Sequence, residues 1–360
     1  MKLATFRIDT PIGAFDRFGI IRLDGTAKDT IASSRRRTGW VIDANAAYAA
    51  LTVSQGKVNA GERADAFCPA DLNTCVQIYG PSLDPIVEIC TWLDQQWSAI
   101  TSGEIHGPRN EAIAHRLDQV ALRPPIKVPV LRDFAAFEDH LQVTFGKMGL
   151  KIPPEWYDRP IAFKGNATSF IGDDEPLQWP HYTQKLDYEL ELAAVVGLPA
   201  RNVDVDQAAG HILGYTLLND FSARDTQRVE MAMSTGPFKG KDFAWGLGPW
   251  IVTPDEFGEV ADAKMRVLVN GETWAETTPG AMQWTFPEMI SYTSQDETAN
   301  VGDVFGSGTV NGGCGFEIDR WIRPGDVVEI EAANIGVLRT RIDPPREKGV
   351  SWRRRLAEGV

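Results

Sequence analysis

Lys185-Leu186-Asp187-Tyr188-Glu189-Leu190-Glu191-Leu192-Ala193, running directly into Ala194-Val195-Val196, is the stretch that decides how this chain is read. On a strand, side chains two apart point to the same face. The alternation therefore predicts a strand over 186–196, with Asp187, Glu189 and Glu191 facing away from Leu186, Tyr188, Leu190 and Leu192. Adjacent carboxylates on one face repel each other unless solvent or a cation neutralises them. A solvated strand face is the plain explanation. The apolar run that follows, however, is that of a central strand, where carboxylates need a partner, usually a hard divalent cation such as Mg2+ or Ca2+ with its preference for oxygen ligands.

Outward from that stretch the chain is rich in strand patterns: 212–218, 264–269, 326–330 and 335–342. Helical patterns are fewer and fall over 133–145, 206–210 and 284–293. Strands separated by turns rather than by regular helices exclude a doubly wound parallel sheet and predict an α+β, mostly β architecture. The prolines Pro124, Pro125 and Pro129 interrupt both kinds of regular structure and mark a boundary near residue 125. Residues 1–125 read as one unit, with a strand over 18–25 ending in the Asp24-Gly25 turn, a helix starting near Asp43, and helices over 85–99 and 111–120. Residues 126–345 form the larger unit, and 346–360 a polar, basic tail.

The chain has 360 residues and a net charge of -13, which argues against a nucleic-acid partner because such proteins carry a basic footprint. It leaves room for an anionic substrate, since a bound cation or a local Lys/Arg pocket reverses the sign within a site. No apolar stretch approaches the roughly 18 residues of a membrane span. The N-terminus turns polar too early for a secretory signal. Cys68, Cys75, Cys90 and Cys314 contain no C-x-x-C pair and read as reduced thiols of a cytoplasmic protein.

Three further stretches carry polar chemistry. Asn219-Asp220-Phe221-Ser222-Ala223-Arg224-Asp225-Thr226-Gln227 follows a strand expected to end at Leu218; Asp220 can offer a metal oxygen, and Arg224 and Gln227 can hold a carboxylate or keto oxygen. In Arg132-Asp133-Phe134-Ala135-Ala136-Phe137-Glu138-Asp139-His140, Asp133 reads as a helix N-cap with His140 two turns along the same face. A lone histidine on a helix is more often structural than catalytic. Two glycine-rich segments, 236–241 and 306–311, have neither P-loop nor dinucleotide spacing, and no G-x-S-x-G elbow is present.

Taken in order, these stretches resemble the fumarylacetoacetate hydrolase family. The resemblance rests on Asp133-Phe134 with His140, Leu186-Asp187-Tyr188-Glu189-Leu190-Glu191, Asn219 to Gln227, Gly236-Pro237-Phe238-Lys239-Gly240-Lys241 and Gly308-Thr309-Val310, across roughly residues 130 to 340. It implies a β-roll or barrel catalytic domain preceded by a smaller, SH3-like N-terminal domain, and by analogy a homodimer. It further implies a divalent cation, Mg2+ first and Ca2+ or Mn2+ next, held by Glu189, Glu191 and Asp220 with Asp133 as a fourth carboxylate. His140 would be the base that activates water, oriented by Glu317. Arg224, Gln227, Lys241 and Thr309 would face oxygens of a small anionic dicarbonyl substrate.

Cleaving a carbon–carbon bond between two carbonyls needs a nucleophile at one of them and stabilisation of the departing enolate. A cation, Lys241 and Gln227 are suited to the second task and a histidine to the first. Ala135, Met231 and Trp245 stand where the fumarylacetoacetases carry tyrosine, tyrosine and threonine, and Phe163-Lys164-Gly165-Asn166 replaces a more polar run. The catalytic core is thus retained and the substrate pocket remodelled. Hydrolysis of a β-diketo acid is the leading expectation. Hydration, isomerisation or decarboxylation of a 2-oxo acid on the same scaffold is the first alternative, and a non-catalytic metal or ligand binder the remote one.

Overall fold

In the computed structural model, which describes residues 1–24 and 38–346, β1 (Lys2–Thr10) and β2 (Gly13–Leu23) form a hairpin, and β3 (Gly39–Asp43) pairs with β2. Asp43 ends that strand and starts a helix where one is expected: its carboxylate accepts the Ala46 N–H at 3.0 Å and caps α1 (Ala44–Ser54). Next come α2 (Ala60–Phe67), α3 (Leu72–Tyr79) and α4 (Asp84–Ser102), the last covering the helix expected over 85–99. No helix forms over 111–120. That segment is instead β4 (Ala114–Arg116), a 3-10 turn at Leu117–Gln119 and the start of β5 (Ala121–Arg123). Pairing of β4 with Trp40–Ile42 satisfies its backbone, and such a distant partner outweighs local propensity. Gly25, and with it the expected Asp24-Gly25 turn, lies outside the described residues, as does most of the expected tail.

The larger unit opens with β6 (Leu131–Phe134), α5 (Glu138–Lys147), β7 (Ala162–Gly165), β8 (Phe170–Ile171) and β9 (Leu177–Gln178). Then follow β10 (Leu186–Asp187), β11 (Leu190–Val196), α6 (Val205–Ala208), β12 (Ile212–Asp220), β13 (Ser222–Ala223), α7 (Arg224–Met231) and β14 (Trp245–Val252). The rest comprises α8 (Pro254–Phe257), β15 (Met265–Val269), β16 (Glu272–Thr277), α9 (Phe286–Thr293), β17 (Val304–Gly306), α10 (Gly315–Ile318), β18 (Val327–Ala332) and β19 (Gly336–Asp343). α9 begins with a full capping box between Thr285 and Glu288, which fits the helix expected over 284–293.

Among the described residues one sheet of 12 strands runs β4-β3-β2-β1-β14-β12-β11-β17-β6-β7, with β5 beside β1 and β8 beside β14. A sheet of 5 strands, β16-β15-β18-β19-β9, packs over it. Leu192, Ala194 and Val196 point into the core shared with Val267, Val328 and Leu338; Ala193 and Val195 point to the opposite core, with Ile86, Ile89 and Leu93 of α4. β11 is therefore buried on both faces, which is why it reads as a nearly continuous apolar run. Each large side chain such as Leu192 contributes about 2 kcal/mol there. A solvated face for the carboxylates is excluded: Asp187, Glu189 and Glu191 are all buried.

β1 to β5 continue the 12-stranded sheet, joined through Leu3 opposite Ile251 in β14, and the N-terminal unit adds four helices to them. Two expectations are corrected. Asp133 is not a helix N-cap. Residues 131–134 are a strand, wholly buried between β17 and β7, and the helix starts only at Glu138. The strand over 186–196 is broken at Tyr188-Glu189, where the Asn219 side chain accepts the Glu189 N–H at 3.1 Å. Asp187 therefore pairs with Ser222, and its carboxylate meets that of Glu189 only through the Arg224 guanidinium they share.

Candidate functional site

Asp133 ends near the tip of β6, Glu191 sits near the start of β11, and Asp220 is the last residue of β12. Between β6 and β11 lies β17, whose Gly306 stands opposite Asp133 on one side and Ala193 on the other. A Cβ on Gly306 would lie 2.6 Å from Asp133 Oδ1 and 3.0 Å from Glu191 Oε2. The bare glycine lets the two carboxylates meet across the intervening strand. Asp133, Glu191 and Asp220 each place an oxygen within 4.8 Å of the other two, and all three residues are at most 2% exposed.

These carboxylates are not closed off by the protein. Asp133 Oδ1, Glu191 Oε2 and Asp220 Oδ1 are buried without a hydrogen-bond partner, whereas Asp220 Oδ2 takes the Lys241 ammonium. Thr309 Oγ1 reaches Glu191 Oε1 only at 3.5 Å. Burial pushes all three carboxyls above their ordinary range. For Glu191 the neighbouring charges of Asp133 and Asp220 add to it, whereas Lys241 works against the rise at Asp220 and Asp133. Three buried oxygens converging without donors suit a hard divalent cation: the donor set is all oxygen, and a cation would remove both the repulsion and the unmet valences.

Glu189 is placed differently. Its Oε1 accepts Arg224 Nη2 at 2.7 Å and its Oε2 accepts Lys241, whose ammonium it shares with Asp220, so Glu189 borders the three converging carboxylates with both oxygens engaged. Burial opposes ionisation of Glu189, but Arg224 and Lys241 hold its pKa below the ordinary value. Lys241, 2% exposed, lies between Glu189 and Asp220; their charges overcome the effect of burial and raise its pKa. Arg224 also donates to Asp187 from Nε at 2.8 Å and to Gln227 Oε1 at 3.2 Å, which accounts for both substrate-binding candidates on α7.

Asp187 was legible as part of the acidic alternation but not as a member of the site. Its carboxylate accepts the Gly315 and Phe316 N–H groups at 2.8 and 3.0 Å as well as Arg224. It thereby ties Arg224 to α10, the short helix that carries Glu317. His140, on α5, places Nδ1 3.0 Å from Glu317 Oε2, with the two side chains 13% and 3% exposed. Lys147 at the other end of α5 donates to the Phe316 and Glu317 carbonyls at 2.7 and 3.1 Å, fixing the two helices together. Burial opposes ionisation of Glu317, but the His140 contact and the Gly312 N–H hold its pKa below the ordinary value. Cys314 Sγ lies 3.4 Å from the same Glu317 oxygen.

The residues singled out in the sequence thus gather into two linked groups: an acidic cluster at the tips of three strands, and a histidine–carboxylate pair on two short helices. Trp245 stands in register with Asp220 and packs on Phe163, so two of the departures from the fumarylacetoacetase pattern line this region. Gly306 was passed over as part of a failed dinucleotide fingerprint. A glycine inside a strand pattern is the signal that would have marked a close approach.

Such a mixed β fold with buried carboxylates at strand tips, a buried lysine beside them and a paired histidine defines an enzyme-like site of the cation-binding kind. The fumarylacetoacetate (FAA) hydrolase family, C-terminal domain, matches residues 129–343, and the chain belongs to this family. It is 30% identical over 271 residues to the mitochondrial oxaloacetate tautomerase fahd2 of Xenopus laevis, covering 74% of this chain and 80% of that protein. It is 32% identical over 215 residues to the 2,4-didehydro-3-deoxy-L-rhamnonate hydrolase of a Sphingomonas species, covering 59% and 72%. Among solved structures, the fumarylpyruvate hydrolase of Pseudomonas aeruginosa in complex with Mn2+ and pyruvate matches with a TM-score of 0.53 at 22% identity, over 62% of this chain and 92% of that one.

Proposed function

We propose that this protein is a divalent-cation-dependent hydrolase that cleaves a carbon–carbon bond in a small β-diketo acid of the acylpyruvate type. The observation that carries the reading is the His140–Glu317 pair at 3.0 Å, linked through Asp187 and Arg224 to the acidic cluster. Asp133, Glu191 and Asp220 would hold the cation, which when bound supplies a Lewis acid for carbonyl oxygens. That the fumarylpyruvate hydrolase was solved with Mn2+ and pyruvate supports a divalent ion here, with Mg2+ our first choice on the hardness of the donors.

With Nδ1 facing Glu317, the other ring nitrogen of His140 takes a proton from water. The water oxygen adds to one carbonyl carbon. The bond to the neighbouring methylene carbon breaks, its electron pair leaves as an enolate, and the proton held on His140 returns to that carbon to give two acids. Lys241 and Arg224 place positive charge where substrate oxygens gain negative charge.

A second reading, keto–enol isomerisation of a 2-oxo acid, is favoured by the likeness to an oxaloacetate tautomerase. It uses the same base without the attacking water. The deciding assay offers acylpyruvates, fumarylacetoacetate and oxaloacetate to the protein with Mg2+ or with a chelator, follows the enolate ultraviolet absorbance and identifies the products. Cation-dependent decay yielding two acids supports hydrolysis. Faster keto–enol interconversion of oxaloacetate without cleavage replaces it with the second reading.

A further inference from the structure

His140, Cys314 and Glu317 present a nitrogen, a sulfur and an oxygen within 4.8 Å of one another; Cys314 is fully buried, and the His140 and Glu317 side chains are 13% and 3% exposed. The donor set differs from the all-oxygen cluster. Imidazole and thiolate select zinc-like ions, whereas carboxylates alone select magnesium-like ones. Around a tetrahedral zinc with ligand bonds of about 2.0–2.3 Å, nitrogen and oxygen donors lie about 3.4 Å apart and sulfur and oxygen about 3.6 Å. The corresponding separations here are 3.0 Å for His140 Nδ1 to Glu317 Oε2 and 3.4 Å for Cys314 Sγ to the same oxygen. These two separations fall a few tenths of an ångström short of the tetrahedral ones, and the third, His140 to Cys314, lies within 4.8 Å.

We propose that His140, Cys314 and Glu317 form a second, thiophilic metal site, taking Zn2+ or Cd2+, whose occupation switches the enzyme off. The ion enters between Oε2 and Nδ1, which is buried without a hydrogen-bond partner. The imidazole is then turned by coordination and no longer oriented by Glu317, and a fourth position stays open for water. Cys314 gives up its proton to solvent as the sulfur–metal bond forms, because only the thiolate is a ligand. Two negative donors, Glu317 and the thiolate, balance the charge of the ion. The Gly312 N–H on the other oxygen of Glu317 and the Lys147 contacts to α10 keep that carboxylate in place. The coordination stands on geometry alone, and only the inhibition rests on the catalytic reading of His140.

The full chain, chelator-treated and reloaded with saturating Mg2+, is titrated with Cd2+ while the thiolate-to-metal charge-transfer absorbance is recorded. Turnover on the best substrate is measured against Zn2+ in parallel. We expect a band saturating at one equivalent that Cys314→Ser removes, with the Zn2+ concentration for half-inhibition raised at least about tenfold, the least that loss of a metal-supporting group costs. Inhibition is scored against each variant's own Mg2+-supported turnover, and Cys314→Ala provides the same comparison should serine unsettle the packing. A band of undiminished size in both variants, carried by Cys68, Cys75 or Cys90, overturns the site. A Cys314-dependent band with unchanged turnover overturns the switch but leaves the site standing. Absence of turnover on every substrate tells against the hydrolase reading, and the band still decides the coordination.

Discussion

The two halves of the 12-stranded sheet treat buried charge in opposite ways. In the N-terminal half, Asp43 is 3% exposed and fully engaged: Arg17 grips both of its oxygens, Nη2 meeting Oδ1 at 2.9 Å, and the Ala46 N–H adds a third contact. In the C-terminal half, Asp133, Glu191 and Asp220 are as deeply buried, yet each keeps an oxygen without a donor. The first arrangement is a finished structural one. The second holds unmet valences at the tips of rigid strands, where a cation adds what the fold itself does not. Converging buried acids that keep oxygens without donors thus mark the cation site, whereas Asp43 has no valence left to offer.

Glu191→Gln breaks this contrast most sharply, because it should move binding and stability in opposite directions. Losing an ionised ligand is expected to weaken cation affinity by at least about 100-fold, beyond what removing an outer partner costs. In chelator the same variant should melt no lower than the parent, since it relieves repulsion among three buried carboxyls. Calorimetric cation titration and thermal melts check both halves. A clearly lower melt in chelator would make the cluster a structural element like Asp43.

Asp43→Ala is the counterpart. It leaves Arg17 unpaired and uncaps α1, and should cost about 3 kcal/mol of stability. Turnover per folded molecule should not change. A loss of turnover at full folding would join the N-terminal half to the chemistry and erase the distinction.

Gly306→Ala tests whether the carboxylates need their bare strand. The added Cβ meets Asp133 Oδ1 and the Leu218 side chain at 2.6 and 2.8 Å, so one must yield. Overpacking of this kind costs about 1–3 kcal/mol. The cation affinity should fall with it, whereas alanine at an open glycine such as Gly210, where nothing lies within 4 Å, should leave affinity alone.

The same contrast explains what could be read in advance. The acid alternation through Glu191, Asp220 at a strand tip and the helix start near Asp43 were visible because each is written in local sequence. The strand at Leu131–Phe134 was not, since its partner Val304–Gly306 lies more than a hundred residues away and local pattern favoured a helix. For the same reason Asp187 was grouped with Glu189 and Glu191. Its true partners, Arg224 and the Gly315 and Phe316 N–H groups, meet it only after the chain folds back. Local periodicity reveals which residues are acids on a strand, and long-range pairing decides which of them face each other.

The smallest expected effect concerns pH and sharpens the contrast from the structural side. His115 on β4 packs its ring 5.5 Å from Phe6, and burial lowers its pKa below the ordinary 6.5 despite the opposing charge of Asp43. A depressed folded pKa means that the unfolded chain takes up the proton first as the solution is acidified. His115 therefore adds stability above pH 6.5 that is lost as pH falls through 6.5 towards its folded value. His115→Gln should lower the melting temperature slightly at pH 8 through lost packing and flatten its decline between pH 7 and pH 5.5. The decline belongs to the N-terminal half only if it persists undiminished in Glu191→Gln with chelator present. Should Glu191→Gln abolish the decline and His115→Gln leave it intact, the acid sensitivity would lie with the unfinished cluster and the N-terminal half would be electrostatically inert over this range.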